Sequence, residues 1–200
     1  MIEKYAVGKV IDLGCGRLAL KGIIHTLELE YDGLDIDPFS DEITFRSDLQ
    51  AMSPISDETY DTALCLQVLE HVPNPQKAAH EIFRILKPGG VAIITVPHLS
   101  RIHDEPNDFH RFTEYGIRVL LENAGLSVEE IIIRAGLFSF LGHQVSSVIV
   151  PLVWEVPLLR EIVFAINSVL LSRGCYYLDH LMPTAMRYFA LGYTVRAVKP

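Results

Sequence analysis

The stretch that decides the fold is Val10-Ile11-Asp12-Leu13-Gly14-Cys15-Gly16. Lys9–Leu13 is a short, mainly apolar run of strand length, and it stops at two glycines one residue apart. Glycine adopts positive φ without a Cβ penalty and lets a ligand approach the main chain closely, so the run reads as a strand ending in a tight, accessible turn. Asp12, just before the glycines, offers a carboxylate that can accept hydrogen bonds from a cationic or amino group. Taken alone, the segment is equally readable as a plain tight turn.

Outward from this turn, strand-like and helix-like segments alternate to about residue 136. Tyr31–Asp37 and Ile43–Asp48 read as strands, the second weaker, and Tyr60–Gln67 and Val91–Pro97 are apolar runs ending in polar or turn residues. Pro75–Leu86 places Ala78, Ala79, Ile82, Phe83, Ile85 and Leu86 at helical spacing. Lys87-Pro-Gly-Gly90 is expected to close that helix, with glycine at its C-cap. Thr113–Asn123 reads as an amphipathic helix capped by Thr113. Such alternation means parallel strands joined by crossover helices, hence an α/β, doubly wound sheet that binds ligands beyond the carboxyl ends of its strands.

The last third differs. Leu137–Leu171 carries only Glu155, Arg160 and Glu161 as charges and is expected to form two or three hydrophobic helices broken at Pro151 and Pro157. The 20 residues between Arg134 and Glu155 carry no formal charge, the length of a membrane span, but glycines, serines, His143, Gln144 and Pro151 interrupt them. Gly192–Lys199 alternates like a final edge strand. Residues 1–200 are therefore read as a single domain, with 137–191 as a helical insertion before the last strand. Three roles are open to that insertion: a substrate cap, a homodimer contact or a membrane-surface contact.

Composition narrows the partners. Half of the 200 residues are hydrophobic, ample for one core, and the net charge is −8 with no cluster of Lys and Arg, which argues against nucleic acid. Cys15, Cys65 and Cys175 form no CxxC pair, so neither a disulfide framework nor a cysteine zinc site is suggested. A reducing, cytoplasmic location follows, peripheral to a membrane if the apolar segment touches one. Met1-Ile-Glu-Lys4 has no signal-peptide pattern and is expected to lead straight into the first strand.

Acids recur where ligands bind. Asp35 ends the second strand, about 20 residues beyond the glycines, where a carboxylate can hold the two hydroxyls of a ribose. Asp37 could share that role. Asp48 lies where an adenine amino group could be read, or it caps a turn. These features describe a nucleoside ligand and leave two open. Gly14, Gly16 and Ala19 nominally satisfy the dinucleotide pattern GxGxxG/A. Against NAD stand Asp12, better explained by a cationic sulfonium amino acid than by a pyrophosphate, and the lack of a second mononucleotide-binding half.

Five segments then carry a resemblance: Val-Ile-Asp-Leu-Gly-Cys-Gly16, Gly33-Leu-Asp-Ile-Asp37, Ser47-Asp-Leu49, Tyr60–Val72 and Ile85-Leu-Lys-Pro-Gly-Gly90. In their order and spacing the chain resembles the class I S-adenosylmethionine-dependent methyltransferases of type 11, over about residues 9–136. The resemblance implies a Rossmann-like methyltransferase fold: a mostly parallel seven-stranded sheet whose last strand is antiparallel. It also implies that Asp12, Gly14 and Gly16 hold the methionine part of S-adenosyl-L-methionine. Asp35 would bind ribose, Asp48 and Leu49 would meet adenine, and Gln67 would line the cofactor. Leu18 departs from the family, which often has a third glycine there, and this bears on the detail of the pocket.

For catalysis the sequence offers His71, after the fourth strand, and the cluster Pro97–Thr113 with His98, His103, Asp104, Asp108, His110 and Arg111. A similar run marks a subset of these enzymes found with surface-glycan and lipid biosynthesis. His71, His103 or His110 could deprotonate a hydroxyl or amine, or the residues could form a hydrogen-bonded loop that organises the next helix. The spacing matches no standard ligand pattern, so no metal is assigned. The expected reaction moves a methyl group from S-adenosylmethionine to an O, N or C nucleophile of a small-molecule, glycan or lipid-linked acceptor. The alternatives are an NAD-dependent oxidoreductase and a non-catalytic S-adenosylmethionine-binding protein.

Overall fold

Val10, Ile11 and Leu13 are fully buried, because their strand β1 (Lys9–Leu13) has a parallel neighbour on each side. These neighbours are β2 (Glu30–Asp35) and β4 (Tyr60–Leu66). Beyond β2 lies the two-residue β3 (Phe45–Arg46), and beyond β4 lies β5 (Leu86–Pro97), both parallel. With β6 (Ser127–Arg134) and β7 (Gly192–Val198), the seven-stranded sheet has the order β3-β2-β1-β4-β5-β7-β6. The last strand is antiparallel. Ala63, Leu64 and Cys65 of β4 and Ala92, Ile93 and Ile94 of β5 are as buried as β1, as strands of a sheet covered on both faces must be. The computed structural model describes residues 1–37 and 40–200.

The helices obey their patterns. Helix α3 (Pro75–Ile85) starts with proline at N1, and its N-cap Asn74 accepts a hydrogen bond from Lys77 N. It buries Ala78, Ala79, Ile82 and Ile85, one apolar stripe. Each large aliphatic side chain fully buried in such a stripe contributes about 1.5–3 kcal/mol. Helix α4 (Glu114–Asn123) is capped by Thr113, whose hydroxyl accepts from Gly116 N at 3.0 Å. Two further short helices, α1 (Ile2–Tyr5) and α2 (Lys21–Thr26), precede β2. The chain thus does not lead straight into β1.

Other expectations also need correcting. β2 stops at Asp35, two residues early, and β3 keeps only two of the six residues expected. Lys87–Gly90 is not a helical C-cap: Leu86 is already extended, and β5 begins there with a bulge opposite β4. β7 is an inner strand rather than an edge, since β6 lies outside it. Its backbone is fastened by Lys199 N donating to Gly90 O at 3.0 Å and Gly89 N to Lys199 O at 2.8 Å.

The chain separates into two compact units. The first comprises Met1–Pro97, Arg101–Ile132 and Thr194–Pro200; the second comprises His98–Ser100 and Ile133–Tyr193. The second is mainly helical: α5 (Leu137–Val153), α6 (Pro157–Ile166), a π-helical turn Asn167–Gly174, α7 (Cys175–Leu181) and α8 (Pro183–Tyr188). Pro151 does not break a helix; it lies inside α5, and the break comes just before Pro157. The buried Asp179 of α7 accepts hydrogen bonds from Gly136 N, Phe138 N and Ser139 N, and so satisfies the free amides at the start of α5. Among the described residues no helix is long and apolar enough to cross a membrane.

Candidate functional site

The strand ends of the first unit surround a cavity of about 720 Å³, within the usual range for small-ligand sites. Among the residues singled out from the sequence, Asp104 lines it from the loop after β5, as do Gly14, Asp35, Asp37, Asp48, Leu49, Gln67 and His71 from the ends of the first four strands. This is where the strand-end rule places a ligand.

Gly14 is obligatory on two counts. Its φ is +73°, and a Cβ there would lie 2.5 Å from Val68 Cγ2. Gly16 also has positive φ, at +51°, but nothing lies within 4 Å of where its Cβ would be. Asp35 stitches the turn to β2: one carboxylate oxygen accepts from Gly16 N at 2.8 Å and the other from Asp37 N at 3.1 Å. Gln67 holds a left-handed backbone (φ +58°) directly after β4, a strained conformation for a non-glycine residue. Its amide N–H donates to Thr95 O of the neighbouring strand. Asp48 accepts from Gln50 N at 2.8 Å, so a turn-forming role accompanies its place in the cavity wall.

Asp12 is not in that wall. It lies within β1, nearly fully buried, and accepts a hydrogen bond from Tyr31 Oη at 2.9 Å. Burial pushes its carboxyl up to about 6, the tyrosine hydrogen bond opposing the shift. The Cys15 thiol is pushed up to about 12, first by burial and then by the Asp12 and Asp35 charges, which leaves it a poor nucleophile.

The three candidate catalytic histidines separate. His71 lines the cavity, and its Nδ1 lies 2.9 Å from Asn107 O. His103 does not line it, but its ring stands edge-on to that of His71 at 4.8 Å between centroids. His110 is turned away among Phe109 and Phe112, its Nε2 buried with no hydrogen-bond partner. Asp108 and Arg111 organise this loop. Arg111 donates to Asp108 Oδ2 at 2.6 Å and to Arg101 O at 2.7 Å, while Asp108 accepts from His103 N at 2.8 Å. The Arg111 guanidinium holds the Asp108 carboxyl well below the usual range. The loop is tied down further by Phe109 N and His110 N, both donating to Glu70 O.

Sequence reasoning did not assign Val68, Asn107 or Phe109, which also line the cavity. Nor did it give a role to Glu70, whose side chain is completely buried. The one signal for Glu70 was its position, a charged residue directly after a strand and next to His71.

A glycine turn after β1, an acid after β2 and a cavity across their ends, in a 3-2-1-4-5-7-6 sheet, define an S-adenosylmethionine-dependent methyltransferase of class I. A family model described as "Methyltransferase domain" matches residues 3–131, and the chain belongs to that family. Its cofactor is S-adenosylmethionine. A probable S-adenosylmethionine-dependent methyltransferase of Mycolicibacterium smegmatis is 28% identical over 76% of this chain and 69% of its own. A ubiquinone biosynthesis O-methyltransferase of Paraburkholderia phymatum is 32% identical over 41% of each chain. The fold matches that of a SAM-dependent methyltransferase from Archaeoglobus fulgidus, with a TM-score of 0.63, 16% identity and coverage of 98% of this chain and 87% of that one. These findings favour methyl transfer over the oxidoreductase alternative.

Proposed function

We propose that the chain methylates an oxygen, nitrogen or carbon nucleophile of a small-molecule or lipid-linked acceptor, bound beside His71 in the cavity. The observation that carries this reading is the cavity itself. Gly14, Asp35, Gln67 and His71 all line it, so a turn after β1, the end of β2 and the segment after β4 share one wall. Asp35 takes the ribose hydroxyls, with Asp48 and Leu49 meeting the adenine. Gly14, Gly16 and the buried Asp12 charge receive the cationic methionine part. The sulfonium is already a good leaving group, so the protein contributes mainly by aligning the acceptor and excluding water. His71 is the one candidate histidine in the cavity wall and is assigned to accept a proton from a hydroxyl acceptor, with His103 beside it; His110 packs between aromatic rings and is the weakest of the three for that role.

Calorimetric titration with S-adenosylmethionine tests the cofactor half. Asp35→Ala should weaken binding by roughly tenfold or more, as expected when hydrogen bonds to a charged group are lost. An unchanged affinity would remove Asp35 from the site. A radiolabelled methyl screen over lipid, sugar and quinone acceptors tests the other half, and binding without turnover on any of them would favour the non-catalytic reading.

For the second unit we infer an acceptor-side or surface role, in a protein that works in the cytoplasm, at a membrane surface when its acceptor is a lipid. Leu152, Leu158 and Val148 are 79%, 75% and 63% exposed, more apolar surface than a solvated helix needs. Co-sedimentation with anionic vesicles and sedimentation velocity separate a membrane contact from a homodimer. A chain that stays monomeric and off the vesicles would leave the cap as the role of this unit.

A further inference from the structure

Buried carboxylates in this protein are otherwise provided for. Asp12 accepts from the Tyr31 hydroxyl, and Asp179 accepts three backbone amides. Glu70 is different: its side chain is completely buried, and neither oxygen has a hydrogen-bond donor. A carboxylate taken out of water without a donor is costly unless a cation meets it. The Arg111 guanidinium acts on it through space but gives it no hydrogen bond, and the nearest groups it faces are two imidazoles. His71 Nε2 lies 3.9 Å and His103 Nε2 4.0 Å from Glu70 Oε1. One ligand atom from each of the three residues falls within 4.8 Å of the others.

The orientation of the His71 ring is fixed from behind. Asn107 O can only accept, so His71 Nδ1 carries the hydrogen of their 2.9 Å contact and Nε2 is directed at the cluster. His103 Nδ1 lies 3.4 Å from Asp108 Oδ2, although the Arg111 guanidinium approaches it equally closely. The carbonyl behind His71 is the outer-shell arrangement that aims a histidine at a metal, and Asp108 would serve His103 in the same way in the tautomer with the hydrogen on Nδ1. We propose that Glu70, His71 and His103 form a binding site for one divalent transition-metal ion, of the class Zn(II), Fe(II) or Mn(II). Ligands about 2.1 Å from one ion stand roughly 3.0–3.4 Å apart, so closure requires side-chain shifts of no more than roughly an ångström. Two imidazoles and one carboxylate leave coordination positions open.

His71 also lines the cofactor cavity, so an open position there can take an acceptor's oxygen. This consequence rests on the methyltransferase reading; the metal site does not. With the ion in place His71 is a ligand and no longer the base: the ion lowers the pKa of a bound hydroxyl and the proton leaves to solvent. The oxygen then forms its bond to the methyl carbon as the carbon–sulfur bond breaks, and the sulfonium becomes a neutral thioether. The acceptor class selected is an ionisable hydroxyl. Sequence spacing could not reveal the site, because 32 residues separate His103 from the adjacent pair Glu70 and His71.

The test is direct titration of the tag-free, chelator-treated full chain with Zn(II) and, as an optical probe, Co(II). Metal content is read after equilibrium dialysis, and S-adenosylmethionine binding is measured by calorimetry on the same samples. One equivalent should bind, with visible Co(II) bands that vanish in Glu70→Gln and in His103→Ala, each weakening metal by at least tenfold. Retained cofactor affinity marks these variants as folded. Less than a tenth of an equivalent in the wild-type chain, or equal binding in the Glu70→Gln, His103→Ala double variant, would overturn the site. Metal binding without cofactor binding would instead count against the methyltransferase reading and leave the site standing.

Discussion

Two parts of the cavity wall, around Gly14 and around His71, are built on different principles. Around Gly14 the geometry belongs to the backbone: positive φ at Gly14 and Gly16, a missing Cβ against Val68, and amides aimed at Asp35. Around His71 it depends on two separate segments meeting: the side chains of Asp108 and Arg111 clamp one loop, and Phe109 N and His110 N fasten that loop to the main-chain oxygen of Glu70. Backbone geometry tolerates almost no substitution but is written locally. Side-chain geometry can be varied residue by residue, which suits an acceptor pocket better than a cofactor pocket.

Substitutions can break this contrast. Gly14→Val should have the largest effect, combining left-handed strain with overlap on Val68; a loss of about 2–5 kcal/mol by urea denaturation is expected, with cofactor binding abolished. Gly16→Ala is the control. It bears the same kind of φ in open space and should cost only about 1 kcal/mol. If both cost the same, close approach is not what makes the first glycine essential. Around His71, Asp108→Ala strips the partner from Arg111. It should lower methyl transfer by roughly 100-fold through misplacement of the loop, while cofactor affinity stays within about twofold. A parallel fall in cofactor affinity would erase the division of labour between the two parts.

Acid should act through Asp12, the residue proposed above to receive the cationic part of the cofactor. The folded-state pKa of Asp12 is raised by burial from 3.8 to about 6. The folded chain therefore holds the proton more tightly than the unfolded one. The stability this contributes is fully present below about 3.8 and is lost as pH rises through about 6, a difference of about 3 kcal/mol. Binding of a cationic cofactor has the opposite sign, weakening by about tenfold per pH unit below about 6. Asp12→Asn should abolish both trends, as calorimetry from pH 5 to 8 would reveal. The smallest effect belongs to Thr113→Ala, about 1 kcal/mol from loss of the α4 cap, seen by thermal unfolding with no change in cofactor affinity.

The legibility of the sequence follows the same division. β1, α3 and α4 were readable almost to the residue, because an apolar period, an Asn or Thr cap and a stopping glycine are local signals. That Gly14, Asp35, Asp48, Leu49 and Gln67 line one cavity was readable because strand ends are local too. The inner position of β7 was not, since it depends on which neighbours the strand meets far along the chain. Pro151 was misread because a proline's missing donor is tolerable where neighbouring turns hold the helix. The approach of Glu70 to His103, and the retreat of His110 among phenylalanines, arise from a loop folding back on itself. No spacing rule reports that.

The place of β7 between β5 and β6 has a consequence for how the protein is made. A ribosome releases β5 and β6 well before it releases the strand that joins them. Until Gly192–Val198 emerges, both carry a bare edge, and between β6 and that strand the ribosome must still deliver the whole helical segment. Such late, long-range pairing is slow and leaves edges open to wrong partners. The nascent chain therefore exposes strand edges that the finished chain covers, and its last strand acts as the keystone between them.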